Sequence, residues 1–325
     1  MKYKILDLLY KNKGSFVSGQ KICDELGISR TAVWKHIKTL GEEGYNIVST
    51  GGKGYSLTYG KDILNGYEIE RRLREYIPVF FYKELDSTND KAKELVSSLK
   101  NEISLITCSV QRSGRGRMGR TFESANDKGA WCSFVLKPRM EPEKALLITI
   151  AAAAAVSLTL EKAYKIKPGI KWPNDIIVSG KKVSGILSEM NCETNFINYI
   201  VIGIGINVSQ EKKDFSEEVS LTAGSMYGLT GIKIPHSEII ASLCYNIQEV
   251  YRLIKDGNSE KILELWKRYT ITDGEEIKIF RNGEAVVVRA IGINANGSLI
   301  VEYKDGARKE YNSGEISIKR LTDSI

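Results

Sequence analysis

Histidine, proline and cysteine are scarce in this chain of 325 residues, which has two His, six Pro and five Cys. With only His36 and His236, nothing supports a histidine-rich metal centre or a local Cys/His zinc site. Cys23, Cys108, Cys132, Cys192 and Cys244 are odd in number, scattered, and contain no C-x-x-C pair. They argue against a disulfide framework and fit a reducing cytoplasm. The opening MKYKILDLLYKNKG has an apolar run too short for a signal peptide and no small-residue cleavage pattern. Residues 145–160 lack any charge, but sixteen residues rich in alanine fall short of the ~20 that a span needs. They read as a buried core helix, and no membrane role is expected. Neither sign of charge dominates: 47 Lys and Arg face 40 Asp and Glu, a net of +7, which permits a polyanionic partner without demonstrating one. A hydrophobic share of 42% and a charged share of 27% exclude long disorder and collagen-like structure. The length predicts two or three domains.

Three segments follow. Residues 1–62 alternate helical spacing with turns. Ser18 and Ser29 are placed to cap a second and a third helix, Gly27 separates them, and Ala32, Val33, Ile37 and Leu40 form an apolar face. NIVSTGGKGYSLT then reads as two short strands around a glycine turn. Helix, turn, helix and hairpin form a winged helix-turn-helix pattern. Residues 1–60 carry a net charge of +4. Ser29, Arg30, Thr31, Trp34, Lys35 and Lys38, with Lys53 at the hairpin tip, are types suited to DNA phosphates and base edges. A small helical cap or dimerisation module with a solvated basic face is the plainer alternative.

Residues 63–270 predict helices at 67–76, 89–99, 143–164 and 237–254, and strands at 79–83, 105–110, 131–136, 170–178, 183–189 and 199–208. The last three strands follow one another without an intervening helix, so an α+β fold with a mixed sheet is expected rather than a doubly wound one. Ser179-Gly180-Lys181 is a hairpin turn. Residues 271–325 predict short strands punctuated by Asn282-Gly283, Asn296-Gly297, Asp305-Gly306 and Ser313-Gly314, the signature of a small β-barrel.

The most informative stretch is QRSGRGRMGR, residues 111–120. Gly114-x-Gly116-x-x-Gly119 matches a dinucleotide motif literally, but loop and strand residues follow where that motif needs a helix to open. Arg112, Arg115, Arg117 and Arg120 instead suit a phosphate that gains charge during reaction. A solvated basic loop is the competing reading. Lys171, in KWPND, could point into a pocket as a compact cation or sit at a strand end. Pro173 marks an edge or exit of its strand. Ser87, Thr88 and Asn89, after Asp86, are a helix cap or a polar ligand contact. Gly185 and Leu187 in SGIL, and Asn207 in GIGIN, lie where strands shed side chains and something can come close.

In their order and spacing these motifs resemble the bifunctional biotin–protein ligase and biotin operon repressor family over nearly the whole chain. The resemblance implies a winged helix, a class II synthetase-like ligase core and an SH3-like barrel. It implies that biotin and ATP form biotinyl-5′-AMP, and that biotin then passes to a lysine of an apo biotin carboxyl carrier protein. Lys171, Arg115 and Arg117 take the catalytic places. Ser87, Thr88, Asn89, Gln111, Gly116, Gly185 and Leu187 join them around biotin and the adenylate, and Arg117, Arg120 and Asn207 around the nucleotide. Mg2+ is expected with ATP, and no metal ligand is assigned. A homodimer formed with the adenylate bound would grip operator DNA. Met118 and Trp131-Cys132 depart from the family pattern. A ligand-sensing transcription factor with a degenerate ligase domain, or a lipoate-type ligase, are the alternatives.

Overall fold

Two serines open the second and third helices. In the computed structural model, which describes residues 1–58, 62–193, 195–281, 284–313 and 315–320, the Ser18 hydroxyl accepts from the Lys21 amide at 3.1 Å. The Ser29 hydroxyl accepts from the Ala32 amide at 3.2 Å. Each satisfies a donor that helix geometry leaves unpaired. The order is α1 (Lys2–Lys11), α2 (Gly19–Leu26), α3 (Arg30–Glu42) and an antiparallel hairpin of β1 (Ile47–Thr50) and β2 (Gly54–Leu57). Gly54 is needed at its place: its φ is 101°, and a Cβ there would lie 2.1 Å from the Val17 carbonyl oxygen. Ile5, Leu6, Leu9, Ile22, Val33, Ile37 and Leu40 share one core. The apolar stripe of α3 is spent inward, which leaves Arg30, Thr31, Trp34, Lys35 and Lys38 exposed. This is the predicted winged helix-turn-helix, and it lies in a compact unit, Met1–Glu68.

The second unit is Ile69–Ile325. Helix α4 (Gly66–Glu70) stops short of the predicted 67–76, because residues 74–76 are exposed and offer no apolar face to bury. Then come β3 (Val79–Leu85), α5 (Thr88–Leu95), β4 (Ile103–Gln111), β5 (Gly129–Leu136), α6 (Ala145–Tyr164), β6 (Gly169–Lys171), β7 (Asp175–Val178), β8 (Lys181–Glu193) and β9 (Phe196–Asn207). The seven strands pair in the order β3-β4-β5-β9-β8-β7-β6. β3 and β4 are parallel and the rest antiparallel, so the sheet is mixed as expected. The single strand predicted over 170–178 is two: Trp172, Pro173 and Asn174 turn the chain back, and Lys171 pairs with Asp175. Pro173 has no N–H to give a ladder, which suits it to the turn. Ser179 and Gly180, at φ 49° and 74°, form the two-residue turn into β8.

By length and composition the segment Pro142–Tyr164 could cross a membrane, yet α6 is buried without a break from Leu147 to Ser157. It packs on two further helices, α9 (His236–Lys255) and α10 (Ser259–Tyr269), which follow the short α7 (Glu217–Ser220) and α8 (Met226–Thr230). No helix is predicted at α10, although Ile262, Trp266 and Tyr269 bury one face at i, i+4 and i+7.

The chain ends in a five-stranded antiparallel sheet of β10 (Glu276–Arg281), β11 (Glu284–Ile293), β12 (Leu299–Glu302), β13 (Arg308–Tyr311) and β14 (Ser317–Arg320), paired in the order β13-β12-β11-β10-β14. Asn296-Gly297 and Asp305-Gly306 turn the chain as predicted, with both glycines at positive φ. Asn282-Gly283 and Gly314 lie outside the described residues. The buried Trp172 ties this region to the large sheet: its backbone N–H donates to Thr272 Oγ1 and its indole N–H to the Gly297 carbonyl, each at 3.0 Å.

Candidate active site

Glycines on adjacent strands open a cavity of about 220 Å³ on the large sheet. Gly185 on β8 pairs with Gly205 on β9, and Leu187 pairs with Gly203. A Cβ on Gly205 would meet the Phe122 ring at 2.7 Å, and one on Gly203 would meet Asn89 Oδ1 at 2.4 Å. The floor is therefore bare because an aromatic ring and an amide rest on it. Phe122 in turn stands edge-on to Trp131, with centroids 5.9 Å apart.

One end of the cavity is a buried polar network. Ser87 caps α5 by accepting from the Asp90 amide at 3.3 Å, which presents Thr88 and Asn89 in the first turn. Gln111, the last residue of β4, receives the Thr88 amide at 2.9 Å and the Thr88 hydroxyl at 3.0 Å on Oε1. Its Nε2 donates to Ser124 Oγ at 3.0 Å. On β5, Ser133 Oγ lies 2.7 Å from Thr88 Oγ1 and 2.6 Å from Asn89 Oδ1. Asn89 Nδ2 donates to Glu189 Oε2 at 2.7 Å. Buried polar atoms need such partners, and these side chains are accordingly held in place.

Beside that network the lining is cationic, and Arg115, 4.0 Å from Glu189 Oε2, reaches it. Arg115, Arg117, Arg120, Lys171 and Lys182 line the cavity, against one lining carboxylate, Asp175. Lys182 pairs with Asp175 at 2.5 Å. Residues 112–121 fold back on themselves: Arg115 bridges Thr121, and the Gly116 amide donates to the Arg120 carbonyl at 2.7 Å. The turn Arg117–Gly119 is a single 3-10 turn, so no helix opens at Gly119 and the dinucleotide reading fails on geometry as well. Arg115 is ion-paired with Asp90. Burial raises the Asp90 pKa, but hydrogen bonds from Lys93 and Arg115 outweigh it and hold the carboxyl below its usual range. Arg117 donates to the carbonyl oxygens of Asn174, at 3.2 Å, and of Ser313. Burial lowers its pKa, with nearby Asp175 opposing. Both carbonyl partners are neutral, which leaves the guanidinium charge for an anion. Arg112 faces away, paired with Glu84, and is not among the lining residues.

The structure thus gathers Ser87, Thr88, Asn89, Gln111, Arg115, Gly116, Arg117, Arg120, Lys171, Gly185 and Leu187 around one cavity. Asn207 stays apart: it is buried at the end of β9, donates to the Gly224 carbonyl at 3.1 Å and is not among the lining residues. All three departures from the family pattern line the cavity: Met118 stands exposed at φ 56°, and Trp131 and Cys132 are buried. Burial pushes the Cys132 thiol up to about 12. Phe122, Ser133 and Glu189 belong to this region but lie outside the sequence motifs; Asn174, in KWPND, and Lys182 join it as residues to which the sequence assigned no role. A lone aromatic in the polar TFESAND run and a serine inside an apolar strand are the only signals for the first two.

In the N-terminal unit the exposed face of α3 bears Arg30, Thr31, Trp34, Lys35 and Lys38, and Lys53 is exposed on the hairpin. Arg30 donates to Gln20 at 2.8 Å, and the Lys38 ammonium lies 5.7 Å from the Trp34 ring centre. The Ser29 hydroxyl is used as the α3 cap.

Residues 2–56 match the family described as HTH domain, residues 81–207 the Biotin/lipoate A/B protein ligase family, and residues 273–319 the Biotin protein ligase C terminal domain. The chain is 35% identical over 312 residues to the bifunctional ligase/repressor BirA of Bacillus subtilis (strain 168), covering 95% of this chain and 96% of that protein. It is 28% identical over 310 residues to the protein of the same description from Escherichia coli (strain K12), covering 94% of each. Among solved structures it is similar to the biotin protein ligase from Aquifex aeolicus in complex with biotin and ATP. That similarity has a TM-score of 0.63 and 28% identity, and covers 75% of this chain and 100% of that one.

Proposed function

The chain belongs to the biotin protein ligase family, in its bifunctional ligase/repressor form, and we propose that the cavity over Gly185 and Gly205 is where it makes and shelters biotinyl-5′-adenylate. The chain is a ligase that activates biotin with ATP, and its helix-turn-helix gives it a repressor role. In the first step a biotin carboxylate oxygen bonds to the α-phosphorus of ATP as the bond to pyrophosphate breaks. In the second, a lysine amine of the apo biotin carboxyl carrier protein bonds to the biotin carbonyl carbon. AMP leaves, and the amine loses a proton.

Lys171 stabilises negative charge as it moves between carboxylate and α-phosphate oxygens. Arg115 and Arg117 close over the adenylate and keep water from it. Ser87, Thr88, Asn89 and Gln111 hydrogen-bond the ureido ring, while Gly116, Gly185 and Leu187 bound the space around it. Arg120 faces the nucleotide; Asn207 reaches it by releasing the Gly224 carbonyl. Magnesium enters as MgATP. Among the described residues no group of three His, Cys, Asp or Glu is set to hold a metal, and phosphate and water are natural ligands for this ion.

One observation carries the reading: five cations, against one lining carboxylate, share a cavity with a neutral network of hydrogen-bonding side chains. A phosphate anhydride with a small polar ring at its far end matches both. Incubation with biotin, MgATP and an apo carrier domain should yield biotinylated carrier, AMP and pyrophosphate; an unlabelled carrier would contradict the reading.

Residues 1–62 act on DNA, 63–270 perform the chemistry and 271–325 complete the ligase. The adenylate-bound form dimerises and grips a two-half-site operator in the cytoplasm, with Arg30, Thr31, Trp34, Lys35, Lys38 and Lys53 meeting the DNA and Ser29 holding the start of α3. Ordering residues 112–121 around the adenylate would link ligand to dimer by mass action.

A further inference from the structure

We propose that Glu189, which is not among the cavity-lining residues, is a positioning residue that fixes how the hydroxyls at the biotin end present themselves to the ligand. The proposal rests on the reading that Asn89 and its neighbours meet biotin. Asn89 is buried, with 5% of its surface exposed, and its amide could be turned either way round. Glu189 decides the orientation. One carboxylate oxygen takes Asn89 Nδ2 at 2.7 Å, and the other takes Lys93 Nζ at 3.0 Å. A carboxylate only accepts, so Asn89 must point its NH2 at Glu189 and its carbonyl oxygen at Ser133.

That choice settles the protons beyond. Ser133 has one hydroxyl proton, and Asn89 Oδ1, 2.6 Å away, can only accept. Thr88 also has one, and Gln111 Oε1, 3.0 Å from Thr88 Oγ1, can only accept. Gln111 is fixed in that sense because its Nε2 donates to Ser124. Two hydroxyl protons are thus drawn inward, to Asn89 and Gln111. Thr88 and Ser133, 2.7 Å apart, have no third proton to place between them. Ser133 is fully buried and is not among the lining residues, so it is Thr88, which does line the cavity, that presents a lone pair, and the missing donor is an N–H of the ligand. A ureido ring supplies such N–H groups. An acid without an N–H cannot.

Glu189→Gln tests this with nearly unchanged shape. The Lys93 ammonium keeps the new amide oxygen, so the new NH2 faces Asn89. Asn89 turns over, its NH2 faces Ser133, and the Ser133 proton is pushed onto Thr88 Oγ1, 2.7 Å away, where it competes with the ligand N–H. The expected result is a rise of roughly tenfold in the KM for biotin, the scale of one hydrogen bond reversed. Arg115 lies 4.0 Å from the same carboxylate but keeps its closer ion pair with Asp90, so the KM for ATP should stay within about twofold. Combining Glu189→Gln with Asn89→Asp restores an acceptor at both places, towards the new NH2 and towards Ser133. The double variant should recover most of the lost biotin affinity, whereas Asn89→Asp alone sets two carboxylates face to face and should lose it. A merely structural role for Glu189 gives no such rescue.

An unchanged biotin KM in Glu189→Gln would overturn the proposal, and so would a double variant as impaired as the two single losses combined. Asn89→Ala separates the two layers. If it raises the biotin KM while Glu189→Gln does not, the proposal alone fails. If it leaves the biotin KM untouched, the placing of biotin at Asn89 fails and takes the proposal with it.

Discussion

Replacing Gly203 by alanine is the most economical way to disturb the biotin end of the cavity. An added Cβ would lie 2.4 Å from Asn89 Oδ1 and 3.0 Å from both Cγ and Nδ2. Ordinary contact begins near 3.4 Å, so the amide oxygen must retreat by about 1 Å. It has little room to do so. Ser133 holds the oxygen at 2.6 Å and Glu189 holds the nitrogen at 2.7 Å. A hydrogen bond spans about 2.7–3.2 Å, so a shift of that size breaks at least one of them. The loss of a buried hydrogen bond costs about 1–3 kcal/mol, which corresponds to roughly a five- to 150-fold rise in the biotin KM if the amide contacts the ligand. The melting temperature should fall by a few degrees, at roughly 2–4 °C per kcal/mol for a unit of this size. The assay is the initial rate of pyrophosphate release over a biotin series at saturating MgATP, beside a thermal melt. Gly185→Ala is the comparison: its new Cβ meets the Phe122 ring edge at 3.1 Å and the end of Lys182 at 3.2 Å, both able to yield. It should disturb the biotin KM less. A Gly203→Ala enzyme with wild-type biotin KM and melting temperature would refute the reasoning.

Arg117→Gly should let reactive adenylate escape, so that bystander lysines are labelled at carrier concentrations where the wild type labels none; unchanged labelling specificity would count against the closing role. Lys35→Ala and Lys38→Ala should weaken operator binding and each reduce the salt dependence by about one released counterion, while carrier biotinylation in the same preparations stays at the wild-type rate. The thiols of Cys108 and Cys132 are both pushed by burial up to about 12, with Thr107 weakly opposing at Cys132. Their neutral forms favour the folded state, so this contribution is whole below the unfolded thiol range near 9 and is lost as pH rises from there towards 12. Urea midpoints should fall across that window, and alkylation of the folded protein at pH 8 should reach the exposed Cys192 and spare Cys132; equal labelling of the two would contradict the burial.

Local elements were legible in the sequence wherever periodicity or capping chemistry decided them. Ser18, Ser29 and the Val33, Ile37, Leu40 face announce the winged helix, and Ser179-Gly180 announces its hairpin. Pro173 marks an edge or exit of its strand, and an exit is what the structure has; that the chain then reverses depends on Lys171 finding Asp175 across the turn. What periodicity cannot carry is contact between distant positions. Asn89 meets Glu189 one hundred residues later, Trp172 meets Gly297, and Phe122 covers glycines from two other strands. Local patterns mark GIGIN as a place of close approach without saying that Asn89 and Phe122 are what approach. For Asn207 the same pattern suggests an open contact, and the neighbouring Gly224 carbonyl takes it instead.

Native mass spectrometry of the protein mixed with biotin and MgATP asks the central question directly. The cavity should retain a ligand of the mass of biotinyl-5′-adenylate, and Lys171→Ala, folded by circular dichroism, should form almost none. Biotin and ATP bound side by side without condensation, or as much adenylate in Lys171→Ala as in the wild type, would contradict the account.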